Sequence, residues 1–307
     1  RSDMPFMTAA YGSLQGLDGL EVFALGGAAW DTSMGKFGLS SPVIMGSFPA
    51  CALMYRRGDV AEAGDAVFQA LNPEELFALR GSTTFAAQAL DELRKKDLPG
   101  GGAIAGEVRS LDPLVFYAGR VVRSFDPQAA SRQIPLARYL DRDQSIVRSL
   151  TGELAWDWAR GIVRVDTKKS QGAAGFLGQA AAIPLGNVTI ECGNEYATVL
   201  VVFLDGKPLE TSARILVQAM TTERPYGFRA SGGAEGRIGD VGTWPFGVEK
   251  IRVKVTLRGG SWKGATVMPL DENGYARADA PEAAAAPDGA SLAVTLAEDA
   301  VYHVLRR

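Results

Sequence analysis

The chain has 307 residues, of which 47% are apolar and 22% are charged, and its formal net charge at pH 7 is −3. This composition is typical of an ordinary folded protein of about two domains. Because acidic and basic residues are balanced and interspersed, the sequence lacks the basic face that a nucleic-acid partner requires. No apolar run reaches the length of about eighteen residues that predicts a membrane-spanning helix. We therefore expect neither nucleic acid nor a membrane as a partner.

The residues that most often bind zinc are scarce. The chain has two cysteines, Cys51 and Cys192, and one histidine, His303. Zinc takes its ligands mainly from Cys and His, so we predict no metal site and no cofactor. A single disulfide between the two cysteines is the less favoured alternative. His303 belongs to an alternating apolar strand, which favours a structural role.

The first predicted elements, within residues 1–97, alternate between helix and strand. Apolar residues recur at helical spacing over 5–14, residues 20–25 form a short apolar run after two glycines, and residues 42–57 are apolar on nearly all sides. This order is typical of a (β/α)8 barrel or a doubly wound sheet. We therefore predict that residues 1–97 are the C-terminal segment of a barrel, with 20–25 as a parallel strand.

The sequence begins directly on this predicted core helix. We expect the chain to be the C-terminal part of a larger protein whose earlier strands precede it. A targeting signal would lie in that earlier part, so the compartment stays undetermined. Further helices are predicted over residues 73–79 and 84–96.

Residues 98–149 are predicted to be a linker and a mixed connecting segment. The three glycines at 100–102 are the clearest linker signal in the chain. Residues 114–117 and 120–125 are apolar enough to form short strands.

From residue 150 to residue 307, short apolar runs alternate with turn residues. Asp205-Gly206 and Asn273-Gly274 are hairpin-type turns. Many short strands with polar turns between them predict an antiparallel β-sandwich accessory domain. The predicted strands are 162–166, 188–192, 198–204, 213–219, 251–257, 265–270, 291–296 and 301–305, and residues 280–289 are predicted to be a loop.

The end of the first predicted helix carries the run AAYGSLQGLDGLEVF, residues 9–23. It resembles the last helix-to-strand step of (β/α)8-barrel retaining glycoside hydrolases. Residues 41–58 are similar to the helix that follows the eighth strand of those enzymes, and residues 150–157 with 165–172 resemble the start of the β-domain after the barrel. The resemblance implies the C-terminal portion of a glycoside hydrolase that acts on a poly- or oligosaccharide. The fold it implies is α/β followed by all-β.

The resemblance also implies that the catalytic residues lie outside this chain. Retaining hydrolysis needs two carboxylates about 5 Å apart, and in the resembled enzymes they follow the fourth and seventh strands. With residues 20–25 as the eighth strand, both carboxylates would precede residue 1, so the catalytic residues are unknown. We expect the chain to be inactive alone and to need the missing N-terminal part of the barrel, or a second chain that supplies it.

The loop after the predicted eighth strand supplies the candidate sugar-binding residues. Active sites of such barrels gather at the C-terminal ends of the strands, where Trp30 and Asp31 would lie. The Trp30 indole would stack on a sugar ring and the Asp31 carboxylate would accept hydroxyl protons; alternatively, Trp30 packs under the loop and Asp31 caps a turn. Glu21 is a further candidate, although a structural salt bridge would explain it as well.

Four other tryptophans, Trp156, Trp158, Trp244 and Trp262, offer a possible carbohydrate-binding platform on the predicted sandwich. Core or interdomain packing is the alternative explanation. A shared platform would indicate a second class of function, a non-catalytic carbohydrate-binding or scaffold module.

Overall fold

The computed structural model describes residues 2–22, 29–35, 38–78, 112–125, 129–208, 211–232, 236–278, 283–286 and 288–307. The helices are α1 Asp3–Leu14, α2 Pro42–Arg56, α3 Pro73–Phe77 and α4 Val115–Ala118, and single 3-10 turns lie at Leu136–Arg138 and Leu177–Gln179. The strands in chain order are β1 Asp65–Ala70, β2 Arg120–Ser124, β3 Arg132–Gln133, β4 Leu140–Asp141, β5 Ile146–Arg148, β6 Leu154–Asp157, β7 Ile162–Asp166, β8 Ser170–Gly175, β9 Ile183–Pro184, β10 Val188–Cys192, β11 Ala197–Phe203, β12 Arg214–Met220, β13 Glu223–Tyr226, β14 Arg229–Ser231, β15 Arg237–Asp240, β16 Thr243–Val248, β17 Val253–Arg258, β18 Thr266–Leu270, β19 Ala283–Ala285, β20 Ser291–Thr295 and β21 Tyr302–Arg306.

Two antiparallel sheets form the body of the protein. The larger has nine strands in the order β18-β21-β12-β11-β8-β7-β6-β5-β4, and the smaller has five in the order β19-β20-β17-β10-β9. Their facing side chains form one apolar core, to which β11 contributes Val199, Val201 and Phe203 and β17 contributes Val255 and Leu257. Alternating apolar residues on strands of both sheets therefore meet in the core of a β-sandwich.

The other face of the nine-stranded sheet is covered by α1 and α2. Leu200 and Val202, which point away from the smaller sheet, share a second core with Phe6 of α1 and Met54 of α2. Strand β11 is thus buried on both faces, which explains its unbroken apolar run. Helices α1 and α2 and strands after residue 150 therefore share this core.

Side chains of the nine-stranded sheet complete the hydrogen bonding of α2. Pro49 lies inside the helix, where its ring removes a backbone donor and disturbs the preceding turn. The amide of Gln218 in β12 bridges the gap: its Oε1 accepts from Ala50 N at 3.0 Å, and its Nε2 donates to Ser47 O at 2.8 Å. Tyr302 in β21 donates its hydroxyl proton to Gly46 O at 2.8 Å. These bonds hold α2 against the sheet at one register.

The predicted fold class, terminal βα units of a TIM-type barrel followed by a β-sandwich, is wrong. The described residues are mostly antiparallel β-structure, and the one parallel pair among them is β1 with β2, in a small three-stranded sheet. Residues 20–22 of the predicted parallel strand are coil, and 23–25 lie outside the described residues. An all-round apolar helix indicates burial, but here the burial is against an antiparallel sheet.

Several local predictions have different outcomes. Residues 114–117, predicted as a strand, overlap helix α4, whereas the strand predicted over 120–125 is β2. The helix predicted over 84–96 lies outside the described residues. No helix within the described ranges is long and apolar enough to cross a membrane.

Candidate functional site

Two segments that are far apart in sequence meet beside the N-terminal half of α2. Strands β13 and β16 form a two-stranded hairpin that continues from β12. The backbone N–H of Trp244 in β16 donates to the carbonyl of Thr32 at 3.1 Å. Within the Thr32 loop, Asp31 N donates to Ser40 O at 2.8 Å. These two bonds place the loop that carries Trp30 against the edge of the hairpin.

The residues at this junction expose aromatic rings. Trp30 is 49% exposed and Trp244 is 44% exposed. The rings of Trp244 and Phe246 have centroids 6.1 Å apart and planes inclined at 59°, and Tyr226 on the partner strand is exposed. We call Trp30, Trp244 and Phe246 the aromatic surface. Trp30 and Trp244 are exposed, whereas Phe246 is partly buried.

Asp31 lies at the base of this loop and is half-buried. Its Oδ2 is enclosed and accepts no hydrogen bond from the described residues. The backbone of Gly38 packs so closely on this carboxylate that a side chain there would collide with it. Asp31 therefore brings an unused acceptor to the base of the loop, but this oxygen is shielded from solvent.

Glu21 is not brought to the same place by any contact of the described residues. It lies exposed in the coil after α1, and no hydrogen bond or ion pair joins it to Trp30 or Asp31. Of the three residues predicted for sugar binding, Trp30 and Asp31 are neighbours in sequence in one loop, and no contact of the described residues joins Glu21 to them.

The four remaining tryptophans do not form one platform. Trp262 is fully buried in the core between the sheets, with the Arg307 guanidinium 4.1 Å above its ring. Trp156 and Trp158 form an edge-to-face pair with centroids 6.4 Å apart, and Trp156 also contacts Tyr117. Only Trp244 contributes to the aromatic surface. Its partner Phe246 could have been found from sequence, because residues two apart on a strand share a face.

His303 lies in the body and away from this surface. It is fully buried, and its Nε2 accepts a hydrogen bond from Ala297 N at 2.9 Å. Burial disfavours the imidazolium and the nearby Arg277 adds repulsion, so the pKa of His303 falls to about 4, although Asp299 acts in the opposite direction. The side chain is therefore neutral at pH 7.

The cysteines and acidic side chains form no disulfide and no metal-binding group among the described residues. Cys51 and Cys192 are free thiols, and burial raises the pKa of Cys51 to about 12. Across the described ranges, no group of three or more His, Cys, Asp or Glu side chains is placed to hold a metal ion.

Comparisons with known proteins identify no relative. No protein-family model matches the chain, and neither a curated protein nor a solved structure matches it. The proposed function therefore rests on the chemistry of the aromatic surface.

Proposed function

We propose that this chain is a non-catalytic carbohydrate-binding portion of a glycoside hydrolase that acts on a poly- or oligosaccharide. The observation that carries the proposal is the hydrogen bond from Trp244 N to Thr32 O. It holds the loop of Trp30 beside Trp244, so that two half-exposed indoles lie on neighbouring segments. The resemblance of residues 9–23 to glycoside hydrolases suggests the kind of protein, although residues 20–22 are coil and do not form the barrel strand that the resemblance implied.

The physical basis is stacking. The C–H face of a pyranose ring is apolar, and a flat indole covers it with little loss of side-chain freedom because it has two rotatable bonds. Exposed aromatic rings grouped at one place are typical of a binding surface rather than of chance exposure. Asp31 lies at the base of the same loop, but because its Oδ2 is shielded from solvent, the proposal rests on the aromatic rings.

The arrangement favours binding without cleavage. Glycoside hydrolysis requires two carboxylates on opposite sides of the bond that breaks. No contact of the described residues joins Asp31 to Glu21, and the proposal assigns neither of them a catalytic role. In this proposal, an N-terminal part or a second chain supplies the catalytic carboxylates.

An apolar groove supports the need for such a partner. It lies between α1 and α2 on the side away from the sheet, has a volume of about 430 Å³, and is lined by side chains that include Met45 and Phe48. Phe48 is 55% exposed. An apolar helix face of this kind is usually covered in a complete assembly.

Affinity electrophoresis and calorimetry with a panel of neutral and acidic oligosaccharides test the proposal. We expect Trp30→Ala and Trp244→Ala each to weaken binding of a recognised glycan by about 1–3 kcal/mol, taking base stacking on aromatic rings as the guide. Tyr275→Ala is the matched control, because Tyr275 is 73% exposed but follows β18, in a different part of the structure. Equal binding by all three variants would reject the aromatic surface as the site.

A hydrolysis assay on the same samples tests the non-catalytic part. We expect the isolated chain to bind its glycan and release no reducing sugar. Release of reducing sugar by the purified chain would show that its own residues are catalytic.

A further inference from the structure

A second concave site lies at the far edge of the nine-stranded sheet. The 3-10 turn Leu136–Arg138, strands β4 and β5 and the turn between them curve around a groove with a volume of about 660 Å³, closed on one side by Asp112. β4 is the last strand of the sheet at this edge, whereas the aromatic surface continues from β12. The groove and the aromatic surface are therefore different places in the fold.

The backbone around the groove is held by local hydrogen bonds. Arg148 N donates to Tyr139 O at 2.8 Å, and Tyr139 N donates to Leu136 O at 2.9 Å. The Oδ1 of Asp141 accepts from Gln144 N at 2.9 Å and so stabilises the β4–β5 turn. These contacts fix the backbone around the groove, which Arg138, Tyr139 and Arg148 line.

Charged side chains of both signs line this groove. Arg142 forms an ion pair with Asp112, so these two neutralise each other. Arg138 and Arg148 are exposed and line the groove, and neither side chain has an acidic partner or a hydrogen-bond acceptor among the described residues. Asp143 also lines the groove, and no cationic side chain among the described residues forms an ion pair with its carboxylate.

This lining restricts the chemistry of a ligand. Two guanidinium groups in one groove match a carboxylate, which accepts paired N–H donors from Arg. Aspartates on the same lining would repel a polyanion such as nucleic acid, yet they accept hydrogen bonds from hydroxyl groups. A ligand with one carboxylate and several hydroxyl groups satisfies both sets of side chains.

We infer that the groove binds an acidic sugar unit, a uronic acid, of a glycan chain. The sugar carboxylate pairs with Arg138 and Arg148. Hydroxyl groups of the same ring donate to Asp141 and Asp143. The inference rests on the proposed function, since it adds a second sugar site to the same module and narrows the glycan to one that contains uronic acids.

Calorimetric titration with matched ligands tests this inference. The probes are galacturonate, mannuronate and glucuronate as monosaccharides with one carboxylate, each compared with its methyl ester, which keeps the ring and removes the charge. We expect at least one acid to bind about tenfold or more tightly than its ester, because charge-assisted hydrogen bonds are lost in the ester. The preference should shrink as salt rises from about 0.05 M to about 0.5 M, since the groove is open to solvent. If all three acids bind no better than their esters, the inference is overturned.

Variants separate this groove from the aromatic surface. The double substitution Arg138→Ala with Arg148→Ala should remove the preference for the acid over the ester. Arg306→Ala is the matched control, because Arg306 is an exposed arginine in β21, next to the opposite edge of the sheet. If the double variant keeps the full preference, the groove is not the site.

The same titrations distinguish the two failures. If the acid and the ester bind equally, and Trp30→Ala with Trp244→Ala weakens both, the groove inference fails and the proposed function stands. If the acid preference depends on the two arginines while the tryptophan variant binds normally, the aromatic surface fails and the groove stands.

Discussion

The β-sandwich body and the β13–β16 hairpin both contain apolar and aromatic residues, but the body buries them and the hairpin leaves several of them exposed. In the body, β11 is buried on both faces, by the smaller sheet on one side and by α1 and α2 on the other. In the hairpin, most positions of β16 are exposed, and Trp244 is 44% exposed. Apolar residues of the body therefore stabilise the fold, whereas Trp244 of the hairpin remains accessible to a ligand. Substitutions in the two regions should separate stability from recognition.

The largest effect on stability is expected at the doubly covered strand. Leu200 is fully buried between the nine-stranded sheet and the helices. Leu200→Ala should lower the free energy of unfolding by about 2–5 kcal/mol, because it removes buried apolar surface and leaves a cavity. Denaturant unfolding measures this, with Trp244→Ala on the hairpin expected to change stability by less than about 1 kcal/mol. Equal losses at both positions would contradict the distinction between body and hairpin.

The body should also show a pH dependence that originates at His303. The pKa of His303 is about 4 in the folded protein, whereas its ordinary value is 6.5. Between these two pH values the unfolded chain binds a proton at His303 and the folded protein does not. Stability should therefore be fully present above about pH 7 and fall by about 3 kcal/mol as the pH drops towards 4. The measurement is the free energy of unfolding at several pH values for the natural chain and for His303→Gln, which lacks this titration. Parallel pH curves for the two proteins would exclude His303 as the source.

A smaller effect is expected where the body holds α2. Gln218→Ala removes both the acceptor for Ala50 N and the donor for Ser47 O. Unsatisfied buried backbone groups cost about 1–3 kcal/mol, so the free energy of unfolding should fall by that order. Hydrogen exchange should accelerate at Ala50 in particular. The control is Thr243→Ala, an exposed position of the hairpin, which should leave both measurements unchanged.

Strand positions in the body could be predicted from the sequence because alternation of apolar residues is a local signal. The strands predicted over 162–166 and 188–192 are β7 and β10, with the same bounds. The strand predicted over 20–25 is wrong for residues 20–22, which are coil, because a short apolar segment after a glycine has the same local pattern in a strand and in packed coil. Leu20 in fact lies against α1, where a Cβ on Gly12 would stand 3.2 Å from its Cδ1.

The partners of predicted elements could not be derived in the same way. The apolar residues over 42–57 predict a buried helix, and α2 spans Pro42–Arg56. The sequence of an apolar helix does not specify which kind of sheet packs against it. The Trp30 loop was recognisable from its glycines and its aromatic residue. Its contact with Trp244 depends on a backbone hydrogen bond between Thr32 and Trp244, which no local pattern encodes.

The apolar groove between α1 and α2 should affect association rather than stability. We expect the isolated chain to self-associate in sedimentation experiments at rising concentration, because Phe48 and Met45 are open to solvent. Phe48→Lys should shift the protein towards the monomer with little change in melting temperature, and Tyr275→Lys should not. A natural chain that remains monomeric at every concentration would rule out this surface as an uncovered interface.

The most direct test of the account uses the double variant Trp30→Ala with Trp244→Ala. Its free energy of unfolding and its dissociation constant for the recognised glycan should be measured on the same preparation. We predict a free energy of unfolding within about 1 kcal/mol of the natural chain and a loss of affinity of at least about 30-fold, as expected for two stacked rings. A folded variant that binds the glycan as tightly as the natural chain, or a loss of several kcal/mol in stability, would show that these tryptophans serve packing and that the sugar site lies elsewhere.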